Sequence, residues 1–133
     1  MKKTILSLII LLGLLLACGV PAGAASMSAF IDADSYAEVG SEFKVTVRFE
    51  SDAGAMVRAV LQYDSSVVTF LRTSSSDAND VGGTVNIVTL SFQTTHEIEL
   101  YFQMNQEAPA VFSTQVLESS TVDMASLGTP YAS

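Results

Sequence analysis

Residues 56–71 set the pattern of the chain. Val57, Ala59, Leu61 and Tyr63 alternate with Arg58, Val60 and Gln62. That is the period-two spacing of a strand with one buried face. Asp64-Ser65-Ser66 interrupts the run and predicts a turn, because Asp and Ser side chains bond their own backbone. A second apolar run follows from Val67 to Leu71. Upstream, Phe43, Val45, Val47 and Phe49 alternate with Lys44, Thr46 and Arg48, and Ser51-Asp52-Ala53-Gly54 predicts a turn into the central run. Downstream, Val85 and Ile87 are expected to face inward and Asn86 and Val88 outward. Ile98, Leu100, Phe102 and Met104 likewise oppose Glu99, Tyr101 and Gln103. Shorter strands are expected over 29–34 and 111–117.

The segments between these runs are polar. Residues 73–83 are rich in Ser, Asp, Asn and Gly and predict an exposed loop. Residues 93–96 read as a polar connection that leaves His96 solvated, and 105–109 as a turn. Residues 119–133 are mostly small and polar, with Gly128 and Pro130 marking a corner. No stretch sustains a helical period. Short strands separated by turn signals predict an all-β fold, an antiparallel two-sheet β-sandwich forming one compact domain.

The first 24 residues change the picture of composition. The mean hydropathy of +0.41 is high because of them. Met1-Lys2-Lys3 is a positive start, residues 5–16 are apolar apart from Ser7 and Gly13, and Ala22-Gly23-Ala24 is a small-x-small cleavage site. This predicts a secretory signal peptide over 1–24, too short for a membrane span, and an extracellular location. Leu15-Leu16-Ala17-Cys18 also resembles a bacterial lipobox, and processing there would leave Cys18 lipidated at the cell surface. The Ala-Gly-Ala site is the better formed. Cys18 is the single cysteine, so the domain over 25–133 must hold without a disulfide.

Cleavage after Ala24 leaves four cations, Lys44, Arg48, Arg58 and Arg72, against 14 acidic groups, a net charge of −10. Such a surface repels nucleic acid and anionic membranes. The chain carries no nucleophile-elbow or phosphate-loop motif, and without a cysteine in the domain no Cys/His zinc set is possible. Asp32 with Asp34, or Asp77 with Asp80, could supply oxygens to calcium, but neither completes a calcium-loop spacing. No cofactor, metal or catalytic group is expected, and the chain reads as non-enzymatic.

Three segments together resemble the cohesin domain of bacterial cellulosomes. Val39-Gly40-Ser41-Glu42-Phe43-Lys44-Val45-Thr46-Val47 is similar to the family's V-G-x-x-F-x-V-x-V opening. Residues 59–70, through Tyr63-Asp64-Ser65-Ser66-Val67, resemble its Y-D-P-x-V corner, and Asp123-Met124-Ala125-Ser126-Leu127-Gly128-Thr129-Pro130 resembles its closing segment. The resemblance covers the chain from Phe30 onward. It implies a jelly-roll sandwich whose flat outer face docks a dockerin, a calcium-loaded helical module carried by polysaccharide-degrading enzymes. Carried over residue by residue, it places the partner-binding face on Arg58, Val60 and Gln62, on Asn86 and Val88, and on Glu99, Tyr101 and Gln103. Tyr101 and Val60 would form its apolar centre.

The sequence departs from the family in three ways. Arg58 stands where members often present a small polar or acidic residue, and Ser65 replaces the corner proline. The family's final strand, which pairs beside the first, is expected to be missing after the Leu127-Gly128-Thr129-Pro130 corner, leaving the first strand with an unpaired edge. Two other functions suit a sandwich. A carbohydrate-binding module would need exposed aromatics, and the chain has no Trp and four Tyr. A structural or adhesive cell-surface domain would need neighbours or an anchor. The expectation is therefore an exported interaction module with a dockerin-like protein partner, and polysaccharide as the alternative ligand.

Overall fold

The computed structural model describes residues 26–133, so the expected signal peptide and Cys18 lie outside them. Eight strands follow in order: β1 (Met27–Ala33), β2 (Glu42–Tyr63), β3 (Val68–Thr73), β4 (Ala78–Asp80), β5 (Thr84–Val88), β6 (Gln93–Met104), β7 (Phe112–Thr121) and β8 (Tyr131–Ala132). Every pairing is antiparallel.

β2 belongs to both layers of a sandwich. Its first half pairs β1 on one side and β6 on the other, and β6 pairs β3. Its second half pairs β5 and β7, with β4 beyond β5 and β8 beyond β7. Layer one is thus β1-β2-β6-β3 and layer two is β4-β5-β2-β7-β8. The expected antiparallel two-sheet sandwich is present, but its two central strands are one strand.

The core lies between the layers. Phe43, Val45, Val47 and Phe49 from the first half of β2 face Val57, Ala59 and Leu61 from the second, with Val85, Ile87, Ile98, Leu100 and Val116 filling in. Phe102 is its aromatic hub. Its ring lies 5.0 Å from Tyr63, 5.1 Å from Phe112, 5.6 Å from Phe70 and 6.1 Å from Phe43. Fully burying one such side chain contributes roughly 1.5–3 kcal/mol. The Asp64-Ser65-Ser66 turn forms as expected. Asp64 Oδ1 accepts the Ser66 amide at 2.9 Å and its hydroxyl at 2.6 Å, and the Val67 and Val68 amides reach the Asp64 carbonyl. The Ser66 hydroxyl and amide hold the Asp64 carboxyl below the usual carboxylate range.

Three expectations are corrected. Ser51-Asp52-Ala53-Gly54 is not a turn: β2 runs through it, with a register shift between Glu50 and Ala55. An extended crossing suffices because β2 changes layer without reversing, and Gly54 accommodates the Phe92 carbonyl, 2.6 Å from where a Cβ would stand. Residues 73–83 are not all loop, since Ala78–Asp80 forms the outermost strand of layer two against β5. Residues 93–96 are the start of β6, and His96 is 6% exposed rather than solvated. Its Nε2 lies 2.6 Å from the Ala55 carbonyl, an acceptor next to the shifted register.

After the Gly128 corner a two-residue strand, β8, forms and pairs β7 rather than β1. The Gln115 side chain fastens this segment, donating to the Thr129 carbonyl at 2.6 Å. Among the described residues, the edge of β1 away from β2 pairs with no strand.

Candidate binding surface

Alternation along β2 and β5 places Arg58, Val60, Gln62, Asn86 and Val88 on the outer side of layer two. Register aligns them: Arg58 opposes Val88, Val60 opposes Asn86, and Gln62 opposes Thr84. On the other flank Val60 opposes Gln115 and Gln62 opposes Ser113. Asn79 of β4 opposes Asn86, and Tyr131 of β8 opposes Gln115. A single cross-strand row therefore runs Asn79, Asn86, Val60, Gln115, Tyr131 over the whole layer.

Glu99, Tyr101 and Gln103 lie elsewhere. β6 is in layer one, so these side chains point outward on the opposite side of the sandwich. The face of eight residues expected from the sequence is two faces, and Val60 and Tyr101 do not form one centre. Period two tells which side of a strand is buried; it does not tell which layer the strand joins.

The two faces differ chemically. On layer one the side chains are tied to one another. Lys44 pairs with Glu99 at 3.8 Å, and the Tyr101 hydroxyl donates to Glu99 at 3.2 Å. Arg72 covers the Tyr101 ring at 4.5 Å and forms a two-pronged pair with Glu42. The Arg72 guanidinium holds the Glu42 carboxyl below the usual range, and Glu42 in turn raises Arg72. Gln103 donates to the Gly40 carbonyl at 3.2 Å.

Among the described residues, the one ion pair on layer two is Arg58–Glu118 at 3.4 Å. Around it Val88 is 43% exposed, Leu117 41% and Tyr131 61%. Val60, Gln62, Ser113, Gln115, Leu117 and Tyr131 line a shallow depression of about 280 Å³. An apolar centre within a rim of amides and one charge pair has the composition of a docking surface. The sequence reading missed Asn79, Ser113, Gln115, Leu117 and Tyr131. Ser113, Gln115 and Leu117 alternate with Phe112, Thr114 and Val116, so their outward orientation was readable, but β7's place beside β2 was not.

Tyr63 and Asp80 close the end of this layer. The Tyr63 hydroxyl donates to Asp80 Oδ1 at 2.5 Å, and burial, then this bond, raises the phenol above its ordinary value. Asp80 Oδ2 also accepts the Gly82 amide at 3.4 Å, so both carboxylate oxygens are engaged within the protein. Among the described residues no three His, Cys, Asp or Glu side chains converge as a metal site.

No family model matches this chain, and no curated protein matches it by sequence. Solved structures do match it in fold. A cohesin module from a family 33 glycoside hydrolase of Clostridium perfringens superposes with a TM-score of 0.60 at 11% identity, over 81% of this chain and 94% of that one. A non-cellulosomal cohesin from the archaeon Archaeoglobus fulgidus superposes at 0.51 and 17% identity, over 78% and 88%. The chitin-binding domain of a hyperthermophilic chitinase from Pyrococcus furiosus superposes at 0.52 and 13% identity, over 74% and 94%. The architecture is a cohesin-like β-sandwich, shared with a chitin-binding domain.

Proposed function

We propose that the chain is an exported, non-catalytic binding module that docks a protein partner through the outer face of layer two. The reading rests on one observation. Half-buried Val60 and exposed Leu117 and Tyr131 line one shallow depression, with exposed Val88 on the same face, whereas the opposite face is bound up in its own ion pairs. Interface energy concentrates in aromatic and apolar anchors within a polar rim, and Tyr131 and Val60 fit those roles, with Arg58, Gln62 and Asn86 as directional contacts. The cohesin-like sandwich makes a dockerin-bearing extracellular protein the first partner class to test. The signal-like segment over 1–24 supplies the export, with cleavage after Ala24 or lipidation at Cys18 as its two routes.

Titrating the protein with calcium-loaded dockerins tests this reading. Binding that is lost on chelation and weakened by Val60→Arg supports it; a folded protein that captures none counts against it. Tyr131, set in one row with Asn86 and Asn79, favours polysaccharide as the second reading, because an exposed ring beside amides suits a sugar. Retardation in a chitin or cellulose affinity gel, abolished by Tyr131→Ala, would favour it over protein docking.

A further inference from the structure

We propose that the cleft at the end of the sandwich remote from Gly54 binds a cationic peptide segment, one that presents Lys or Arg beside an apolar side chain. The cleft is separate from the layer-two face. Residues 34–39 form one wall and 107–110 the other, and its volume is about 560 Å³, twice that of the depression on layer two. That volume lies within the range of sites that enclose small ligands or short peptide segments. Its floor is apolar: Phe43, Met104 and Phe112 reach it from the ends of β2, β6 and β7 and are each 6–8% exposed.

The rim is uniformly acidic. Asp34, Glu38 and Glu107 line it, and no Lys, Arg or His does. All four cations among the described residues are engaged on the strand faces, as Lys44–Glu99, Arg48–Glu50, Arg58–Glu118 and Arg72–Glu42. The rim carboxylates therefore have no internal counter-ion, and a concave site with low-dielectric walls focuses their field onto whatever enters it. Tyr36, on the same wall and 78% exposed, offers a ring face to an alkylammonium or guanidinium group. A nucleic acid or an anionic lipid would be repelled, and a neutral sugar would gain nothing from the unbalanced charge.

Backbone hydrogen bonds tie the foot of the 34–39 wall to the end of β6. The Gly40 amide donates to the Met104 carbonyl at 2.7 Å, the Met104 amide to Ser41 at 3.0 Å, and the Ser41 amide to Glu38 at 3.0 Å.

The test is an amide-resolved NMR titration of the protein with acetyl-Ala-Lys-Phe-Lys-Ala-amide, run beside the same peptide with Gln in place of Lys. Saturable shifts confined to residues 34–41 and 105–112, absent with the Gln peptide, are expected. The exposed triple substitution Asp34→Asn, Glu38→Gln, Glu107→Gln should weaken binding by about ten-fold or more with its melting curve retained. Val60→Arg should leave these shifts unchanged, which separates this site from the docking face. Equal response to both peptides, shifts on β2 and β7 instead, no saturable response, or filling of the cleft by a neutral chito-oligosaccharide would each overturn the proposal.

Discussion

His96 Nε2 stands 2.6 Å from the Ala55 carbonyl oxygen, in the buried crossing where β2 leaves one layer for the other. A carbonyl only accepts, so the imidazole carries its proton on Nε2 and donates it. Ala55 is paired with Thr121 in one layer and Gln93 in the other, so this bond sits where the two layers join.

Replacing His96 with Ala leaves the buried Ala55 carbonyl without this donor and opens a space beside it. A loss of about 1–3 kcal/mol of stability is expected from the unsatisfied carbonyl. Denaturant unfolding checks it. His96→Gln, which retains a donor, should recover part of the loss.

The crossing also depends on Gly54. A Cβ there would meet the Phe92 carbonyl oxygen at 2.6 Å and its carbon at 3.0 Å. Both are backbone atoms of the β5–β6 connection and cannot rotate away. Gly54→Ala is expected to cost about 1–3 kcal/mol through overpacking, read as a lower melting temperature.

These two residues show what the sequence could and could not reveal. Alternation located the strands and their inward sides: Val45, Val47, Leu61, Val85, Ile87 and Leu100 are all buried as expected. Ser51-Asp52-Ala53-Gly54 has the composition of a turn, and only the close approach of Phe92 explains why a glycine sits in a continuous strand. His96 reads as polar because nothing nearby in the chain announces the Ala55 carbonyl, 41 residues away. β4 is three residues long and made of Ala, Asn and Asp, so it exists because β5 pairs with it rather than by propensity.

The same limit divided the candidate face. Arg58, Val60, Gln62, Asn86 and Val88 share a face because β2 and β5 are neighbours. Glu99, Tyr101 and Gln103 sit beside the other half of β2. Once β2 is seen to cross, one expected surface becomes two.

Phe102 touches four other aromatic rings from the middle of the core. Phe102→Ala should cost about 3–5 kcal/mol. Near-ultraviolet circular dichroism, which reports ordered aromatic packing, should weaken even where far-ultraviolet β signal survives.

The Arg72–Glu42 pair and the Asp64–Ser66 turn make stability sensitive to acid. Both carboxyls are held below the usual range in the folded protein. Their contribution is therefore present above the unfolded carboxylate pKa and lost as pH falls through the lower, folded value. The urea midpoint should fall between about pH 5 and pH 3. Glu42→Gln should lower the midpoint at pH 7 and make the drop on acidification smaller.

Binding is proposed to occur on layer two and not on layer one. The most direct measurement compares the affinity of one captured partner for the unaltered protein, for Val60→Arg and for Tyr101→Ala. Calorimetry should show binding lost or weakened by at least about ten-fold with Val60→Arg, the loss typical of an anchor position, and unchanged with Tyr101→Ala. Binding that survives Val60→Arg and disappears with Tyr101→Ala would contradict the account and move the docking face to β6.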